Sequence, residues 1–147
     1  MEPVHAAATL TVTFAGSGDA FGSGGRCQAC IHLDGGGLPA PVLLDCGATS
    51  LTALRRCALD PGAVAAVFLS HLHGDHFGGL PFLILDGQFS GRDRPLTVAG
   101  PVGTAPRLAA AMECLFPGST QVTRRFAVEV VELPPGKRVT IAGVIAA

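Results

Sequence analysis

The sequence predicts an α/β fold, with strands and helices alternating around one core. Three observations carry that expectation. Short apolar runs of strand length recur along the chain, segments with helical spacing lie between them, and breaks bearing Gly, Pro or Asp separate the two. A chain of 147 residues is one domain's worth, long enough to bury a core without disulfides.

The elements follow in order. Residues 9–14 alternate around Leu10, Val12 and Phe14, the period of a half-buried strand. A glycine-rich loop, 16–25, comes next. Residues 41–44 form a second apolar run that ends at Asp45-Cys46-Gly47. Thr49 or Ser50 then caps a helix with Leu51, Leu54 and Ala58 on one face, stopped by Asp60-Pro61-Gly62. Residues 64–69 (VAAVFL) are continuously apolar and short, as in a strand buried on both faces. Gly78-Gly79-Leu80-Pro81 opens a helix through Leu85, with Pro81 tolerated in its first turn. Residues 96–99 are a further strand. Thr104-Ala105-Pro106 begins a helix carrying Leu108, Ala111, Met112 and Leu115, ended by Pro117-Gly118. Two more strands, 126–133 and 139–145, are split by Pro134-Pro135-Gly136.

Composition narrows the class. Ten basic and 11 acidic residues give a net charge of -1, which supplies neither a basic field for nucleic acid nor a polybasic membrane patch. Charged residues are 14% of the chain against roughly 25% in an ordinary domain. Apolar residues are 48%, so part of that surface is expected to be covered by something outside this chain. Residues 1–10 contain Glu2 and no basic stretch, unlike a secretory leader, and every apolar run is interrupted before membrane-spanning length. Five cysteines, an odd number without an export signal, favour reduced thiols in a cytoplasm.

The chemistry is concentrated in Ser70-His71-Leu72-His73-Gly74-Asp75-His76, where three imidazoles and a carboxylate follow a buried strand. In extended backbone His71 and His73 point to one side, and Gly74 lets the chain turn so that Asp75 and His76 face the same space. Imidazole and carboxylate suit zinc or a neighbouring first-row metal. Two ligands per side is the requirement of two metals about 3.5–4 Å apart. A solvated polar turn would not need such apolar neighbours.

This segment resembles the metallo-β-lactamase superfamily, whose signature is His-x-His-x-Asp-His at a strand end. Its continuation through Phe77-Gly78-Gly79-Leu80-Pro81 is similar to the ribonuclease Z-like branch, as are Phe14-Ala15-Gly16-Ser17-Gly18-Asp19-Ala20, Leu43-Leu44-Asp45-Cys46-Gly47 and the run 96–101 (LTVAGP). The resemblance covers essentially the whole chain. It implies two divalent metals, Zn2+ or alternatively Mn2+, with His71 and His73 on the first and Asp75 and His76 on the second. It further implies a metal-activated water as nucleophile, with Asp75 as catalytic proton acceptor, and Asp45 orienting the ligand turn from a neighbouring strand end. Family members continue to a third histidine, a bridging aspartate and a final histidine, whereas this sequence stops at Ala147. Residues 1–147 are therefore expected to be the N-terminal half of a metallo-β-lactamase αββα sandwich, inactive alone.

Weaker signals point to structure. Cys27 and Cys30, with His32 nearby, lack the second closely spaced pair of a zinc knuckle and are read as packed or free thiols. The loop 16–25 has Phe21 where a phosphate-cradling Gly-x-Gly-x-x-Gly needs glycine, and it is read as a turn beside the metal mouth. The pairs Arg55-Arg56, Arg92 with Arg94, and Arg124-Arg125 are read as a solvated face. The resemblance implies a metal-dependent phosphodiesterase acting on RNA 3′ ends. A hydrolase of small esters, lactones or cyclic phosphodiesters is the alternative, and a catalytically incomplete fragment is a third reading. No membrane is expected as a partner, and the complete protein is expected to be a homodimer.

Overall fold

The computed structural model of the protein describes residues 8–146, so the reading of residues 1–10 falls mostly outside the described residues. Six strands form one mixed sheet in chain order: β1 (Leu10–Gly16), β2 (Cys30–Gly35), β3 (Val42–Leu44), β4 (Ala66–Phe68), β5 (Leu96–Gly100) and β6 (Val128–Glu132). β1, β2 and β3 pair antiparallel, and β3 to β6 run parallel. Parallel neighbours need a crossover. The chain supplies α1 (Ser50–Arg56) after β3, α2 (Gly74–Phe77) and α3 (Leu80–Ser90) after β4, and α4 (Thr104–Leu115) after β5.

Register explains which face is buried. Leu43, Val67 and Val98 are paired across β3, β4 and β5, and all three are fully buried. They pack in one core with Leu54 of α1, Leu80, Leu83 and Ile84 of α3, and Leu108 and Met112 of α4. Each such side chain contributes about 1.5–3 kcal/mol on burial. Because side chains alternate, the next residues along form a second row on the opposite face. Phe14, Ile31, Leu44, Phe68 and Ala99 are paired in succession from β1 to β5. Phe14 is 65% exposed, with Leu10 and Val12 beside it on the same strand, which locates the apolar surplus seen in the composition.

Three expectations need correction. β2 has no counterpart among the strands read from the sequence. The run 139–145 is not one strand but a hairpin, β7 (Val139–Ile141) paired antiparallel with β8 (Val144–Ala146). Its turn residues, Ala142 and Gly143, have φ of 49° and 81°, the backbone of a tight hairpin turn. Finally, Arg92 is not on a solvated face. It is 6% exposed, and its guanidinium donates to the carbonyls of Val64 at 2.6 Å, Pro95 at 2.7 Å and Arg94 at 2.8 Å. The ring of Phe126 lies 5.3 Å from it. Arg92 thus ties the entries of β4 and β5 together at the sheet end opposite the histidines.

Candidate metal centre

The histidine segment leaves the C-terminal end of β4 and turns into α2. His73 is the residue before that helical turn, in extended backbone with φ -77° and ψ 152°. Gly74 and Asp75 then enter the helix, and the His76 amide donates to the His73 carbonyl at 3.0 Å. This turn brings the imidazoles together. The rings of His71 and His73 are 4.7 Å apart edge-on, and those of His71 and His76 are 4.1 Å apart. Asp75 Oδ2 lies 3.4 Å from His76 Nε2.

Asp45 stands behind this cluster. It sits just past β3 with φ 61°, a left-handed conformation that costs a non-glycine residue about 1 kcal/mol. The strained turn aims its carboxylate at the parallel strand's exit. Oδ1 accepts the Ser70 amide at 2.7 Å, Oδ2 accepts the Ser70 hydroxyl at 2.8 Å, and His76 Nδ1 is 2.7 Å from Oδ2.

Ser70 was not assigned a role from the sequence, yet it relays the anchoring. Its single hydroxyl hydrogen goes to the Asp45 carboxylate, so the 3.0 Å contact with His71 Nδ1 has the imidazole as donor. His71 and His76 are therefore both held at Nδ1, which leaves Nε2 of each as the nitrogen for a ligand, that of His76 lying 3.4 Å from Asp75 Oδ2.

Backbone packing fixes the turn against the end of β3. The Cys46 amide donates to the His76 carbonyl at 2.6 Å, and the Gly79 amide donates to the Cys46 carbonyl at 2.8 Å. Gly47 must be glycine, since a Cβ there would collide with the Asp75 carbonyl and approach Gln28 Cβ to 2.6 Å. A cleft of about 360 Å³ opens beside the turn, lined by Asp45, Phe68, Ser70, Leu133 and Ile145 among others.

The donor set suits a divalent metal in kind: neutral imidazole Nε2 atoms and a carboxylate at one strand end. Among the described residues, however, no group of three or more His, Cys, Asp or Glu side chains is disposed to hold a metal ion. His71, His73, Asp75 and His76 are gathered but not converged, so they fit as part of a coordination sphere. The cysteines stand apart from this chemistry. All five are free; burial pushes the Cys30 thiol up to about 11 and raises that of Cys46 further.

Similarity to known proteins follows the same geometry. Over 82 residues the chain is 38% identical to Ribonuclease BN of Salmonella paratyphi B, a match covering 56% of this chain and 27% of that protein. The structure of the short form of human tRNase Z superposes with a TM-score of 0.70 at 32% identity, over 85% of this chain and 46% of that one. The metallo-β-lactamase fold protein YhfI from Bacillus subtilis gives a TM-score of 0.65 at 20% identity, over 89% of this chain and 48% of that one. The match thus spans about a quarter of the curated relative's length and about half of each of these two structures. The fold is that of the N-terminal part of a metallo-β-lactamase sandwich. A family model described as "Anti-Pycsar protein Apyc1" matches residues 10–131, which hold the six-stranded sheet except its last residue, Glu132, together with the histidine turn and Asp45, and the chain belongs to that family.

Proposed function

We propose that the protein is a metal-dependent hydrolase of phosphodiester bonds. The observation that carries this reading is the pair of Nδ1-anchored imidazoles, His71 and His76, clustered with His73 and Asp75 at a strand end. His71 and His73 would hold one divalent ion, and Asp75 and His76 a second, with Zn2+ or Mn2+ as the candidates. Such ions supply Lewis-acid activation of water and of a phosphoryl oxygen. Asp75 accepts the proton that the attacking water loses. Asp45 and Ser70 keep His71 and His76 in the tautomer that binds metal. Similarity to Ribonuclease BN and to human tRNase Z supports a phosphodiester over a carboxylic ester, and RNA as the substrate class.

A small ester, lactone or cyclic phosphodiester is the second reading, favoured by the net charge of -1, which gives no field for a polyanion. The test is elemental analysis of the protein expressed from its whole reading frame, together with turnover of a 3′-extended transfer-RNA precursor, bis(p-nitrophenyl) phosphate and p-nitrophenyl acetate. The reading expects zinc or manganese, cleavage of one or both phosphodiesters, and loss of both metal and turnover in His73→Ala. Turnover of the acetate alone overturns it.

A further inference from the structure

Between α3, α4 and the edge strand β6 the core opens to solvent. A cavity of about 210 Å³ lies there, lined by Ile84, Leu108, Met112, Val128 and Val130 among others. Ile84, Leu108 and Met112 are buried members of the main core and form the floor, with Val128 and Val130 packed against them. Ala109 of α4 lines the same space, and its single methyl leaves the gap between helix and edge strand unfilled. An aliphatic chain entering here would extend the core.

The rim is polar and cationic. Arg124, in the segment that leads from α4 into β6, lines the cavity together with Thr120. Arg124 Nη2 donates to the Ser119 carbonyl at 2.5 Å, which fixes the guanidinium in place. Its Nε is buried and has no hydrogen-bond partner. Among the described residues no carboxylate is paired with Arg124. Glu113, which reaches Thr120, is already committed. Its carboxylate accepts the Gly118 amide at 2.8 Å, the Thr120 amide at 3.0 Å and the Thr120 hydroxyl. A buried N–H without an acceptor carries its whole desolvation cost, and a guanidinium is shaped to donate to a carboxylate. Apolar floor and cationic rim thus complement the tail and the head of one small molecule.

We propose that this cavity binds a short-chain aliphatic monocarboxylate, with its hydrocarbon chain on Leu108, Met112 and Val130 and its carboxylate on the Arg124 guanidinium. One guanidinium matches a single negative charge. Water-sized groups take about 30 Å³ each, so the space suits a chain of about six carbons. The inference is independent of the phosphodiester reading, because the cavity shares no residue with the histidine turn.

The test titrates the 15N-labelled protein, expressed from its whole reading frame, with hexanoate, 1-hexanol and hexylammonium at constant ionic strength. Amide shifts of residues 105–112 and 124–130 are the readout. Hexanoate is expected to move these amides and to bind about tenfold more tightly than hexanol, with hexylammonium weaker still. Arg124→Gln should lower hexanoate to the level of hexanol and leave hexanol unchanged. Ala109→Phe, which fills the cavity from an exposed position on α4, should block both ligands. Circular dichroism verifies the fold of each variant, and the comparison of the three ligands on wild type stands without either. The site is refuted if hexanol or hexylammonium binds as tightly as hexanoate, or if hexanoate affinity survives Ala109→Phe. Hexanoate that leaves these amides unmoved, or moves those around Phe14 on the open sheet face instead, refutes it equally.

Discussion

Asp45 Oδ2 and His76 Nδ1 meet at 2.7 Å across 31 residues of sequence, joining the end of β3 to the helical turn that follows its parallel neighbour β4. The contact fixes the imidazole on both counts that matter to a ligand, its ring orientation and its tautomer.

Asp45→Ala should therefore weaken zinc binding by about 10–100-fold, because His76 and Ser70 lose the group that orients them. Asp45→Asn keeps the shape but not the charge, and is expected to fall between. Competition with a chromogenic chelator, run beside circular dichroism to verify the fold, measures both. Unchanged zinc affinity in Asp45→Ala would remove Asp45 from the site.

Arg92 gives a stability prediction remote from the site. Arg92→Ala strips donors from the carbonyls of Val64, Pro95 and Arg94, all at one end of the sheet. The expected loss is about 3 kcal/mol, read as a lower urea midpoint. Arg92→Lys should recover little, since an ammonium cannot fork to several carbonyls at once. Zinc affinity of the folded variant should be unaltered.

His32 sets a pH dependence. It is 3% exposed, its Nδ1 has no hydrogen-bond partner, and burial lowers its pKa below the usual 6.5, with Asp34 opposing weakly. The fold thus favours neutral imidazole, and the unfolded chain takes up the proton first. Stability from this residue is complete above pH 6.5 and is lost as pH falls from there through the lower folded-state value. Urea midpoints between pH 7.5 and 5 should fall less steeply in His32→Leu than in wild type.

Thiol reactivity should sort the cysteines by place. Cys57 and Cys114 are exposed and should react with Ellman's reagent quickly in the folded protein. Cys27, half-buried with the Arg56 guanidinium 3.9 Å from its sulfur, should follow more slowly. Cys30 and Cys46 should stay silent until denaturant is added, being buried and held protonated. Mass spectrometry of partly labelled protein reads the order.

The strands that carry a clean apolar signal were legible, and those that do not were not. β3 and β4 announce themselves as short runs of Val, Leu, Ala and Phe, and β5 as Leu-Thr-Val-Ala-Gly. β2 reads Cys-Ile-His-Leu-Asp-Gly, with Cys30 and His32 buried on one face and Ile31 and Leu33 half-buried on the other, so it shows no alternation of apolar and polar. The β7–β8 hairpin turns at Ala142-Gly143, and alanine with φ 49° is not a residue that marks a turn in sequence. Arg92 looked like surface charge because its partners are backbone carbonyls, which leave no trace in the sequence. At the histidine turn the motif gave the cluster, and the family resemblance, not any pattern around it, pointed to Asp45. Ser70 was missed because its part depends on where one hydroxyl hydrogen goes.

The interlock of Cys46, Gly47 and Gly79 with α2 has a mechanical consequence. Cys46 donates to the His76 carbonyl and accepts from the Gly79 amide, so the backbone of one residue clasps the helical turn from both ends. With glycine at 47 and 79, backbone lies directly on backbone and no side chain can act as a cushion. The end of β3 and the histidine turn must then move as one stiff piece, and local opening of either breaks both hydrogen bonds. The Cys46 and Gly79 amides should accordingly exchange with solvent deuterium at one shared slow rate, set by the same opening event.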